Sequence, residues 1–165
     1  MFLTLLAGAS TLLVTPATIN KVIATARPGA VIRLSSGDYG TVNIRKRNWA
    51  RRPVIIEAGK ARLTLVVAES SGVIVRGGTF VGKNPAAPVD YAIMIRQAQN
   101  IALEDVGLRN AKSGVLIDRS TDVNVNRANM VGLLADGINI ASSQKVTIKH
   151  SSCSGFITKW GQERS

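Results

Sequence analysis

One cysteine, one histidine and very few aromatic rings limit this 165-residue chain before any motif is read. Cys153 stands alone, which excludes an intrachain disulfide and any all-cysteine metal site. With His150 as the lone imidazole, a zinc site of the usual ligand set is disfavoured as well. Aromatic residues make up 4% of the chain against 45% hydrophobic, so the core must be aliphatic. Acidic residues are also few. Ten Asp and Glu against 21 Lys and Arg leave a net charge of +11. Such a balance favours a polyanionic partner, whether acidic polysaccharide, nucleic acid or membrane surface, without choosing among them. No apolar run is long enough to span a membrane.

What the chain has is valine, isoleucine and 15 glycines, a composition of strands and turns. It also repeats itself. Segments 92–113, 114–136 and 137–159 align with Ile93, Val115 and Ile138 in one column and Ile95, Ile117 and Ile140 in the next. Further along, Ile101, Val123 and Val146 align, then Leu103, Val125 and Ile148. A third group stacks Val106, Ala128 and Ser151, then Leu108, Met130 and Cys153. Each repeat thus holds three short alternating stretches, the pattern of half-buried strands. "GVIVRGGTF" (72–80) matches the middle of a repeat, and "KNPAAPVDY" (83–91) reads as a loop inserted after it. Earlier strands are expected in 30–34, 41–44, 53–58 and 63–67.

A period of 22 or 23 residues with three strands fits an all-β solenoid, a right-handed parallel β-helix of about five coils. Leucine-rich repeats lack support, because their asparagine and leucine spacing is absent. "TPATINKVIATARPG" predicts a capping helix near 16–26, with Thr15 as N-cap, Pro16 at the first helical position and Pro28-Gly29 as the stop. Residues 1–14 read as a signal-peptide remnant or a first strand, since "MFLTLLAGA" ends in a small-x-small pattern without a basic start. The solenoid occupies 15–159. After it, 160–165 reads as an irregular tail, and the last coil is expected either to continue in a longer natural chain or to self-associate.

"INKVIATARPGAVIRLSSGDY" followed by the "G-V/I-x-I…V-x-V/I" repeats resembles the pectate-lyase-like right-handed β-helix superfamily, over about residues 12 to 159. The resemblance implies a carbohydrate-active protein located outside the cytoplasm, secreted or periplasmic. Its members include polysaccharide lyases, glycoside hydrolases, epimerases, esterases and phage tailspikes. The stretch "LLADGINI" is similar to the polygalacturonase segment in which Asn-Thr-Asp precedes Gly-Ile, but only Asp136 matches. The paired carboxylates expected one coil later fall near Thr158 and Lys159, so hydrolysis by two carboxyl groups is disfavoured.

A lyase instead needs a base for the proton α to a uronate carboxylate, and a cation to stabilise the charge that develops. The resemblance implies lysine or arginine as base, with arginine or calcium neutralising the acid group. On that reading Lys112, Arg96 and Asp136 are the catalytic candidates, and Tyr91, Asp118 and Asn139 line the substrate path. "RKRNWARR" (45–52) adds Arg45, Arg47 and Trp49, two cations and a ring for stacking on a sugar. An acidic polysaccharide is the expected partner. Nucleic acid is the weaker one, because no recognisable nucleic-acid module is present. No calcium ligand set of six or more oxygens can be assembled from the letters, so calcium rests on the resemblance alone.

Plainer readings stand beside these. Asp136 before Gly137 is a turn dipeptide; Asp118 with Arg119 or Arg96 is a surface ion pair. His150 points outward. Cys153, stacked with Leu108 and Met130, fills core.

Overall fold

A computed structural model describes residues 11–155. In chain order it contains β1 (Thr11–Val14), α1 (Ile19–Thr25), β2 (Val31–Leu34), β3 (Gly37–Arg45), β4 (Val54–Ala68), β5 (Ser71–Val81), β6 (Tyr91–Arg96) and β7 (Gln99–Glu104). Then come β8 (Gly107–Arg109), β9 (Ser113–Asp118), β10 (Thr121–Asn126), β11 (Asn129–Val131), β12 (Ile138–Ala141), β13 (Gln144–Lys149) and β14 (Ser152–Ser154). The strand pairings are parallel, each strand bonding to its counterpart in the coil before and the coil after. The chain is a parallel β-helix of about six turns.

The repeat columns are the register. Ile93, Val115 and Ile138 are partners, as are Ile101, Val123 and Val146, and Leu108, Met130 and Cys153. Three stacks result. The first runs β3, β4, β6, β9, β12, with the C-terminal part of long β4 as its second rung. The second runs β1, β2, the N-terminal part of β4, β5, β7, β10, β13. Short strands around Leu63, Phe80, Leu108 and Met130 form the third. Between them lies one aliphatic core in which Ile95, Leu103, Leu108 and Ile117 are all but inaccessible. Each such side chain contributes roughly 1.5–3 kcal/mol on burial, and none could be buried by its own coil alone.

The turn beyond the five expected comes from the N-terminus. β1 pairs with β2, and α1 is the crossover between them, a helix in place of the strands of two faces. Ile19 and Ile23 bury against the core with Val14, Ile32 and Leu34. The helix begins later than expected: its N-cap is Thr18 rather than Thr15, without a side-chain cap bond. A turn over 16–18 precedes it, in which Ile19 N donates to Thr15 O at 3.1 Å and Thr15 N to Thr18 Oγ1 at 3.1 Å. Tyr39 closes this end, donating its hydroxyl to Val14 O at 2.6 Å. The inserted loop lies between β5 and β6, as expected. Cys153 does continue the column of Met130, yet it is exposed rather than core, because among the described residues only the Met130 side covers it. The partial cover it does have raises its thiol pKa by desolvation.

Corners between the first and second stacks carry an inward file of small residues, Ser70, Ala98, Ser120 and Ser143. Ala98 N donates to Ser120 Oγ, and Ser120 N to Ser143 Oγ, at 3.1 and 3.0 Å. Each serine hydroxyl in turn donates to a carbonyl two residues back in its own coil. Ser120→Ala leaves the buried Ala98 N–H without an acceptor, so it is expected to cost about 1–3 kcal/mol. Urea unfolding checks this as a lower midpoint at unchanged slope, with the exposed Asn124→Ala near neutral.

Candidate functional site: an axial groove at the first corner

Each coil leaves the first stack through one residue in the left-handed region. These are Lys46, Glu69, Gln97, Arg119 and Ser142, with φ of 54°, 51°, 49°, 46° and 48°. For a side chain with a Cβ this conformation costs roughly 1–2 kcal/mol. The cost is met by register. Glu69 N donates to Arg96 O at 3.1 Å, Gln97 N to Asp118 O at 2.9 Å and Arg119 N to Ala141 O at 3.0 Å, so the kink keeps each N–H aimed at the following coil. Two residues on, a second file runs in parallel register: Asn48, Ser71, Gln99, Thr121 and Gln144. Next comes Gly72, at φ 74°, where an added Cβ would sit 2.3 Å from the Trp49 carbonyl carbon and oxygen.

The two files wall a groove of about 890 Å³ along the solenoid axis, floored by Arg47, Ser70, Ala98 and Ser120. Four inter-coil steps at about 4.8 Å make it about 19 Å long. One wall carries the charges: Lys46, Glu69 and Arg119. The other carries only amides and hydroxyls.

Part of the expected site borders this groove. Asp118 accepts from Arg96 Nε and from Arg119 Nε and Nη2, at 3.2, 3.2 and 3.1 Å. Arg119 beside it, more than Arg96, holds the carboxyl below the usual carboxylate range. Arg45 ends β3 in the same margin, two coils below Arg96, and Arg47 lies on the floor. Trp49 is elsewhere: at 4% exposure it belongs to the core and its ring is not on offer to a sugar. No sequence signal distinguishes it from a surface tryptophan, because the basic residues around it are exposed, apart from half-buried Arg47, while the ring is buried.

The catalytic candidates are not brought together. Arg96 stands at the C-terminal margin of the first stack. Lys112 and Asp136 stand at the other margin, about 20 Å away along strand β9. There Lys112 serves the inserted loop: its Nζ donates to Pro88 O at 2.7 Å and its backbone N to Asp90 Oδ2 at 3.1 Å. Asp136 is exposed, its carbonyl accepting from Gly114 N at 2.9 Å and its N–H reaching Ser113 Oγ at 3.4 Å. Tyr91 begins β6 opposite Ser113. Asn139 ends an outward file, Asn43, Val66, Met94, Leu116 and Asn139, that is apolar in the middle. The face expected to line the substrate path is thus apolar in its middle, and the polar groove lies around its edge. Among the described residues no three His, Cys, Asp or Glu side chains gather to hold a metal, and no helix is long and apolar enough to cross a membrane.

Asp90 holds the inserted loop. It is buried, and its carboxylate accepts from Lys83 N, Asn84 N and Lys112 N at 2.8, 2.9 and 3.1 Å, tying both ends of the inserted loop to the next coil. Gly82 makes room for it: a Cβ there would lie 1.9 Å from Asp90 Oδ2. Two prolines in an insertion pointed to the loop, and nothing in the letters pointed to its clasp.

No family model matches the chain, and no curated protein matches it in sequence. Among solved structures, the β-helix is similar to that of an alginate lyase from Paenibacillus sp. str. FPU-7, with a TM-score of 0.62 and 17% identity. The match covers 86% of this chain and 61% of that one, so this chain spans about three-fifths of the lyase's length. At such identity the likeness is one of fold.

Two measurements follow from this geometry. Asp90→Ala frees three N–H groups at once, and limited proteolysis is expected to cut within 83–90 many times faster than in the parent, with the coils beyond still protected. Asp118, with its folded pKa depressed, contributes stability that is present above the ordinary carboxylate pKa of about 3.9 and lost as pH falls through the folded value. In Arg119→Gln the Asp118 titration midpoint should rise toward that ordinary value, and the loss of stability below about pH 4 should become shallower. NMR titration and acid unfolding read the two effects.

Proposed function

We propose that this chain is a carbohydrate-active β-helix of the pectate-lyase-like kind, holding an acidic polysaccharide along the axial groove and acting outside the cytoplasm, as a secreted or periplasmic protein. The observation that carries the reading is the groove itself. It is long, straight and open to solvent, repeats at the inter-coil spacing, and is lined by amides, hydroxyls and an excess of cations. Extended glycans present hydroxyls and acid groups periodically, and such a trough meets them with periodic donors. The protein's charge of +11 adds attraction at a distance.

Within that reading, lyase chemistry is the finer form. The name of the structurally similar protein, an alginate lyase, supports it, as does the Arg96–Asp118–Arg119 cluster at the groove margin. Arginine there would face the acid group of a bound uronate and stabilise the charge that grows as its α-proton leaves. The competing form is a non-catalytic glycan-binding or structural β-helix of the adhesin or tailspike sort. The separation of Lys112 and Asp136 from Arg96 favours it.

Incubation with a panel of acidic polysaccharides, at low and high salt, separates the forms. A lyase yields unsaturated ends that absorb in the ultraviolet, and Arg96→Gln is expected to lower that rate about a hundredfold. A binding module retains the glycan, weakens with salt and produces no such ends. Absence of binding to every glycan in the panel sinks both. Cell fractionation checks the compartment.

A further inference from the structure

Charge is not spread evenly along the groove. Arg119 is spoken for, because Asp118 accepts from both it and Arg96. At the other end Arg47 is half-buried on the floor and makes no side-chain hydrogen bond or ion pair within the described residues. Its Nε is shut off from water with no acceptor. A buried donor without a partner is costly, and nearly all such groups in proteins are satisfied. Lys46 next to it has no ion pair among the described residues either. One coil along, about 4.8 Å away, the same wall bears Glu69, and the coil after that bears Gln97.

We infer that the groove takes one oxyanion substituent at Arg47 and neutral, hydroxyl-rich sugar beyond it, so that its ligand is a mixed acidic–neutral glycan rather than a homopolymer of acid units. This deepens the proposed function and rests on that reading. A small turn of the guanidinium brings Nε and one Nη side by side onto a carboxylate or sulfate ester, the two-bond geometry for which arginine is suited. A second acid group at the next step would meet Glu69, where like charges repel. Gln97 and Gln99, then Ser71 and Thr121, offer donors and acceptors that fit hydroxyls. Discrimination against dense polyanions is therefore built in as repulsion, not only as missing attraction.

The experiment has two parts on the full chain. In the first, the Arg47 Nε–H NMR resonance, assigned by its loss in Arg47→Lys, is followed while glucuronate, glucose 6-sulfate or glucose is added. Saturable movement with glucuronate assigns the anion as a carboxylate, and movement with the sulfate alone assigns it as a sulfate ester, in which case monosulfated keratan sulfate fragments take the place of hyaluronan in the second part. Movement with neither overturns the proposal. In the second, hyaluronan fragments, which alternate acid and neutral sugar, are compared with polyguluronate of equal length and with single-stranded DNA. The alternating chain is expected to bind about tenfold more tightly than either. Arg47→Gln should weaken it about tenfold, and Arg33→Gln on the second stack should not change it. Glu69→Gln should strengthen polyguluronate several-fold and leave hyaluronan as it was. Equal or tighter binding of polyguluronate or DNA by the parent, or unchanged hyaluronan binding in Arg47→Gln, overturns the proposal. If the resonance moves with glucuronate but no glycan chain binds, the anion site stands and the glycan reading falls.

Discussion

Backbone hydrogen bonds between successive coils are the constraint on which everything else in this molecule depends. Each coil is too thin to hide its own apolar side chains, so it must lie on its neighbour in register through every corner as well as every strand. The corners are where that is difficult. A strand that bends loses its aim, and the chain restores it by placing one residue per coil in the left-handed region. Glu69, Gln97 and Arg119 accept a backbone conformation that glycine or asparagine would take more readily, because their N–H groups then meet the next coil's carbonyls. Local propensity yields to a bond that recurs in each turn of the stack.

That same constraint makes the groove. Left-handed residues stand outward, the serines that follow turn inward to bond the coils, and the polar file rises again on the far side. A trough between two ridges is therefore a by-product of how the corner is turned. What the sequence chooses is its lining. Serines on the floor accept from the preceding coil's N–H groups and so bond coil to coil. The place where serine is replaced by Arg47 is the place where a donor is left without an acceptor.

The interior was legible in the letters, and for a physical reason. Side chains facing into a solenoid are selected by burial alone, so Ile93, Val115 and Ile138 betray their stacking by chemical likeness. Residues on the outside carry no such signal. Arg96 with Asp118 was readable because charge complementarity holds at one coil's separation. Lys112 was not, since a lysine that bonds Pro88 O and one that faces a substrate have the same letter and the same neighbours. Trp49 misled for a related reason: its flanking arginines describe the loop's surface, while the ring obeys the core beneath. The left-handed corners were invisible, because conformation there is imposed from the adjoining coil.

The charge pattern outside the groove sharpens what the net charge means. On the second stack, Arg33 pairs with Glu57 at 2.8 Å and Arg76 with Glu104 at 2.7 Å, in a file where the signs alternate from coil to coil. At the following corner Arg127 pairs with Asp105. Those cations are neutralised by neighbours and so contribute little to attracting a partner at short range. The excess therefore falls on positions such as Lys46 and Arg47, which no carboxylate matches among the described residues. A net charge of +11 by itself would suit any polyanion. Its distribution, paired on one face and unpaired at one end of the groove with Glu69 beside it, suits a partner whose own charge is sparse.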